Sequence, residues 1–195
     1  MCWHLITGNS LWKEVIVAKY IAPRSTLDWI RDRIWATSGS SIICKVITKV
    51  AHIIQRGISW QIGSGESIRI GTDSWSGSGE YHLLPDPLLE HLAHRGITFL
   101  AQIADLIHTT WQGQCWLIAA DLDIPRDGLL DWNNYIWALK ATNTRLTEQE
   151  DQLIWAYSSK GQYTPKLGYL SLIQHKEPPH IAWWWRCIWK LKAHT

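Results

Sequence analysis

At 195 residues the chain is long enough to bury one sizeable core or two small ones, so length alone does not restrict it to an interaction module. Hydrophobic residues make up 46% and charged residues 18%, a balance that excludes intrinsic disorder. The formal net charge of +2 falls far short of the basic excess that by itself signals nucleic acid. No apolar run approaches the roughly 20 residues of a membrane span. No signal-like segment opens the chain, which implies an intracellular protein without choosing nucleus or cytoplasm.

The composition holds 15 Trp against one Phe. Most of these Trp fall at helical or strand spacing, so they are expected in the core; the alternative is a surface that stacks bases or sugars. Cys2, Cys44, Cys115 and Cys187 lie far apart with no C-x-x-C pair, so free thiols are expected and no zinc site.

In chain order, Asn9 or Ser10 caps a predicted helix carrying Trp12, Val15, Ile16 and Tyr20, which Pro23 stops. A stronger helix starts at Ser40 or Ser41. Its stripe of Ile43, Val46, Ile47, Val50, Ile53 and Ile54 keeps three- and four-residue steps, and Gly57 sits where the helix should end. Lys45, Lys49, His52 and Arg56 form a basic stripe on the opposite face. Beyond Gly57 the period becomes two: Ile58, Trp60 and Ile62, then Ile68 and Ile70 after Gly63-Ser64-Gly65-Glu66, predict a β-hairpin over about 58–70. Residues 72–87 read as loop.

A further helix is predicted near Thr98, with Phe99, Ile103, Leu106 and Ile107 on one side, and Trp111, Trp116 and Leu117 continuing it about a break near Gly113. Leu129, Trp132, Ile136 and Leu139 give another helical stripe. Thr147-x-x-Glu150 resembles a capping box, yet Leu153 to Tyr157, the Ser158-Ser159-Lys160-Gly161 turn and Gln162-Tyr163-Thr164 favour a second hairpin over about 152–164. Thr164-Pro165 starts a helix with Leu167, Leu170 and Ile173 on its face. Trp183 to Leu191 predicts a last, strongly apolar helix, as expected of a truncated chain. Its surface could serve self-association.

The chemical motifs are sparse. His91-x-x-His94 would put two imidazoles on one helical face, but no Glu or Cys accompanies them at ligand spacing. No Gly-x-Ser-x-Gly elbow occurs. Gly63-Ser64-Gly65 is predicted in a hairpin turn and not between strand and helix, so it is no phosphate cradle. Asp28, Asp32, Asp73, Asp121, Asp123 and Asp151 are scattered, unlike a two-metal centre, and Glu148, Glu150 and Asp151 read as a solvated turn. The basic stripe of Lys45, Lys49 and Arg56, with Arg69 as a fourth cation, is sufficient for phosphate contacts. It is also what any amphipathic surface helix shows.

More specific is Gly57-x-x-Trp60-x-Ile62-Gly63-x-Gly65-x-x-Ile68-x-Ile70-x-x-Asp73-x-Trp75. It resembles a stretch of plant LINE-type (non-LTR) retrotransposon polyproteins between the reverse transcriptase and the zinc-binding region. Leu11-Trp12-x-x-Val15-x-x-x-Lys19-Tyr20 is similar to the segment just after the polymerase, and Ala104-Asp105-Leu106-Ile107 to the next short motif. Asp151-x-Leu153-Ile154-Trp155, Gly161-x-Tyr163-x-x-Lys166-x-Gly168-Tyr169 and Trp185-x-x-Ile188-Trp189-Lys190-Leu191 resemble the opening of the reverse-transcriptase zinc-binding domain. Gly71 departs from the family, which has Trp there.

The resemblance implies three segments: a post-polymerase region over 1–120, a connecting segment with a helix over 121–150, and a truncated zinc-binding-like start over 151–195. The polymerase carboxylates would lie upstream and the zinc ligands downstream. The expected fold is α+β, mainly α, with two small antiparallel hairpins. The expected function is a non-catalytic part of the polyprotein that links polymerase and zinc-binding parts, without cofactor, holding RNA or DNA weakly and salt-sensitively. A structural or protein-interaction module is the alternative, and no enzyme activity is expected.

Overall fold

The N-terminal stretch forms short helices in place of one long one. In the computed structural model, which describes residues 2–31, 42–110 and 113–174, α1 (Cys2–Thr7) precedes the predicted start and buries Trp3 and Leu5. Lys13 Nζ donates to the carbonyls of Ile6 and Gly8 at 3.2 and 2.9 Å, which satisfies acceptors left over where α1 ends. Ser10 stands at the N-cap of α2 (Leu11–Ile16) with extended backbone, although its side chain makes no capping bond. The chain then widens into a π turn over Val17–Ile21, and Pro23 follows. The predicted stripe is not a buried one: Trp12 and Val15 are 37% and 56% exposed.

Ser25 starts α3 (Thr26–Arg31) reciprocally, accepting from the Asp28 amide at 3.0 Å and donating to the Asp28 carboxylate at 2.7 Å. Its Trp29 and Ile30 are buried. The long apolar stripe folds as predicted into α4 (Ile42–Gly57), which turns Ile47, Ala51 and Ile54 inward and packs on α1 and α3. Ile47 and Ile54 each contribute about 1.5–3 kcal/mol by leaving water, and the Ala51 methyl less. The last described helix, α7 (Pro165–Gln174), also packs on α4 and opens as the sequence predicts: Thr164 Oγ1 accepts from the Leu167 amide at 3.2 Å. These helices belong to one compact unit, Met1–Gly57 with Tyr163–Thr195.

The second unit, Ile58–Gln162, holds the strands. Here β1 (Ile58–Gln61) pairs antiparallel with β4 (Gln152–Trp155), placing Ile58 opposite Trp155 and Trp60 opposite Leu153. On the other edge of β1, Trp60 donates to Ser74 and Ser76 donates back to Trp60, both at 2.9 Å. The two predicted hairpins are therefore corrected: neither strand pairs with its sequence neighbour. Residues 62–67 do not fold back as a hairpin turn, because the amides of Gly63, Gly65 and Ser67 donate to the Asp151 carboxylate. Ile68 and Ile70 pair instead with Thr98 and Leu100, through 2.9 Å bonds on either side of an Arg69–Phe99 bridge. Near 152–164, the Trp155 amide donates to Gly161 at 2.7 Å and closes a small loop, but α7 begins before a return strand can form.

The helix predicted near Thr98 is also corrected. A single 3-10 turn, Leu100–Ile103, leads into β2 (Ala104–Thr110), which pairs antiparallel with β3 (Gly113–Trp116). The β-branched Ile107, Thr109 and Thr110 favour extended backbone over helix. Between β1 and β2 lies α5 (Asp86–His94), which Pro85 and Pro87 start and which buries Leu88 and Leu92. The predicted α6 (Leu129–Ala141) buries Trp132, Tyr135, Ile136, Ala138 and Leu139. Seven α-helices and two small antiparallel sheets among the described residues make the fold α+β, mainly α.

Aromatic packing centres the second unit. Trp132 stacks on Tyr135 at 5.8 Å, and Trp75 meets the same ring edge to face at 5.2 Å. Seven described Trp (Trp3, Trp29, Trp60, Trp75, Trp116, Trp132 and Trp155) are buried, as most were expected to be. Burial pushes the Tyr135 phenol well above its ordinary value, with the nearby Asp73 charge adding to the effect and the Gly71 backbone opposing it. The sign of the consequence is fixed. The unfolded phenol ionises near pH 10, so Tyr135 disfavours the fold only above that pH. Tyr135→Phe should therefore melt like the wild type at pH 7 and lose less stability by pH 11; parallel melting curves across that range would refute this.

Candidate nucleic-acid interface

The basic stripe lies opposite the buried face of α4. Lys45 and Arg56 are exposed, eleven residues apart and therefore on one side of the helix, away from Ile47, Ala51 and Ile54. Position 49 falls on the same side by helical geometry, while the side chains of Lys49 and His52 lie outside the described residues. Arg69 is half-buried in the other unit. Its amide donates to the Asp73 carboxylate at 2.9 Å and its carbonyl accepts from the Asp73 amide at 3.2 Å, so it belongs to a tight turn. The structure thus groups Lys45 with Arg56 and assigns Arg69 to a separate element.

The residues that carry the family resemblance are architectural. Trp60, Trp75 and Trp155 are buried around β1. Gly63 has no room for a Cβ, which would strike the carbonyl oxygens of Gln149 and Glu150. Gly65 has φ +76°, a left-handed backbone that favours glycine. What holds this loop is Asp151. One carboxylate oxygen accepts from the amides of Gly63 and Gly65 at 2.8 and 2.9 Å, and the other from Ser67 at 2.9 Å. Reading Asp151 as part of a solvated turn is thereby corrected. The sequence named Gly63, Gly65 and Asp151 separately, but no local pattern links residues more than 80 positions apart.

Tyr163 stacks on Trp3 at 5.5 Å, its hydroxyl sits where a Cβ on Gly168 would be, and Tyr169 is 64% exposed. Trp185 and Trp189, with the whole Trp183–Leu191 helix and its expected self-association, lie outside the described residues. His91 is not simply solvent-facing: its Nε2 meets the Leu122 carbonyl at 2.9 Å, while His94 is exposed. Among the described residues no three His, Cys, Asp or Glu side chains converge as metal ligands do, and no helix is long and apolar enough to cross a membrane.

The chain is 28% identical over 197 aligned positions to an Arabidopsis thaliana protein named "Putative ribonuclease H protein"; the alignment covers 98% of this chain and 29% of that protein. The chain therefore spans less than a third of this relative's length. No protein-family profile matches, and no solved structure is similar. The similarity fits a retrotransposon-derived protein in general. It also corrects the expectation that the chain is not an enzyme, because the relative to which 98% of this chain aligns carries a nuclease's name. That expectation rested on motifs complete within one chain, whereas carboxylate centres assemble in space from distant segments.

Proposed function

We propose that the chain is the segment of a retrotransposon polyprotein that lies between the reverse transcriptase and the zinc-binding region, and that it helps this nucleic-acid-processing machinery hold RNA or DNA. On this reading residues 1–120 follow the polymerase, 121–150 connect, and 151–195 begin the zinc-binding-like part. The observation that carries nucleic-acid contact is the α4 face bearing Lys45 and Arg56, rigidly presented because the opposite face is buried. Lys49 and Arg69 complete the proposed set. Support for the parent comes from the similarity to the ribonuclease H protein and from the order of the motifs, of which Trp60, Trp75 and Trp155 are buried in the second unit.

Phosphate contacts alone give weak binding that salt removes. Titrating a labelled RNA with the full chain should show an affinity that falls steeply with salt. The double variant Lys45→Glu/Arg56→Glu should bind at least about 10-fold more weakly, with a log–log salt slope shallower by about 1.5. A salt-insensitive, sequence-specific complex would sink the proposal.

A further inference from the structure

Among the described tryptophans, Trp12 and Trp137 depart from the buried pattern, and Trp137 does so furthest. Trp137 is 58% exposed on α6, and Tyr81, itself 50% exposed, meets it edge to face at 5.5 Å and 73°. Both rings sit on fixed supports. Trp137 projects from a helix whose other face is anchored by Trp132, Tyr135, Ile136 and Leu139. Tyr81 lies in a loop tied by its own amide to Ser78 at 3.2 Å, by His82 Nδ1 to Gly79 at 2.7 Å, and by Leu84 to Gly71 at 3.1 Å. Asn133 and Lys140, also exposed, stand one turn before and one turn after Trp137, so the three share a face.

Such a pair leaves large π surface in water. Its flanks are a carboxamide that can bond a base edge and an ammonium that can meet a phosphate. The nearest acids in sequence are the exposed Glu80 and the half-buried Asp131, one beside Tyr81 and the other two turns before Trp137. We infer that Trp137 and Tyr81 form a stacking platform for an unpaired base of single-stranded RNA or DNA, with Lys140 holding the adjoining phosphate. Stacking needs bases freed from a duplex, so the platform selects single strands, and it tolerates any base because every base offers a π face. This rests on the proposed nucleic-acid role and adds the substrate class to it.

The test compares three labelled ligands of roughly a dozen nucleotides with the full chain: a single strand, the matching duplex, and an abasic strand with the same phosphates. Wild type should prefer the single strand over both others. Trp137→Ala should weaken single-strand binding about 10-fold with the salt slope unchanged, Trp137→Phe should restore part of it, and duplex binding should stay as it was. Circular dichroism and melting should match the wild type, since this side chain lies at the surface. Equal affinity for the abasic strand, or single-strand binding untouched by Trp137→Ala, overturns the platform alone. A Trp137→Ala effect confined to self-association of the chain overturns it in favour of a protein contact. Binding lost in Lys45→Glu/Arg56→Glu but not in Trp137→Ala keeps the α4 reading, and no binding by wild type overturns both.

Discussion

Trp155→Ala should lower the stability of the second unit by about 3–5 kcal/mol. The side chain is fully buried, pairs across the strands with Ile58, and meets Tyr157 edge to face at 5.7 Å. Truncation to Ala removes the largest apolar surface a side chain offers and leaves a void that the short β1–β4 pair is too small to close by relaxing. The effect should appear as a loss of hydrogen-exchange protection at Ile58–Gln61 and as a melting point lower by roughly 10 °C. Trp137→Ala on the same chain should shift melting by about 1 °C or less, because that ring is mostly in water. Equal shifts for the two variants would show that the burial assigned to them is wrong.

Asp151→Ala should cost about 3 kcal/mol. Its carboxylate accepts three backbone N–H groups from the Gly63–Ser67 loop, two of them partly buried. Charge-assisted bonds of this kind exceed ordinary ones, and losing the acceptor leaves three donors that water reaches unevenly. The variant should melt about 6–12 °C lower. Asp151→Asn should recover roughly half, since one amide oxygen can still serve Gly63 and Gly65 while the Ser67 bond and the charge are lost. Asp151→Glu should not restore the wild-type value, because the extra methylene displaces the carboxylate from a loop whose Gly63 already touches the 149–150 backbone. A melting point for Asp151→Ala within about 1 °C of wild type would mean the loop holds itself.

These residues also show how far the chain could be read without its structure. Helices α4, α6 and α7 were legible because a helix is written locally: the stripe that includes Ile47 and Ile54, or Trp132, Ile136 and Leu139, repeats within a few turns, and Thr164-Pro165 marks a start. Strand partners were not. The alternation at Ile58–Gln61 is real, but nothing in it says that its partner lies over 90 residues on at Gln152–Trp155 and not across the adjacent glycine loop. Ala104–Thr110 was misread because a short apolar run fits either period. At the candidate interface, Lys45 and Arg56 were legible as one face, whereas Arg69 joins a turn in the other unit.

By itself, the sequence determined the α+β class, the places of the principal helices, a basic face on one of them, and a resemblance pointing to retrotransposon polyproteins. Only tertiary structure decided which strands meet, that Asp151 is the clamp of the glycine loop, and that Trp132 is buried while Trp137, five residues on, is not. The physical reason is common to all three. Helical periodicity is a property of neighbours in the chain, but pairing, clamping and burial depend on what distant segments bring to the same place.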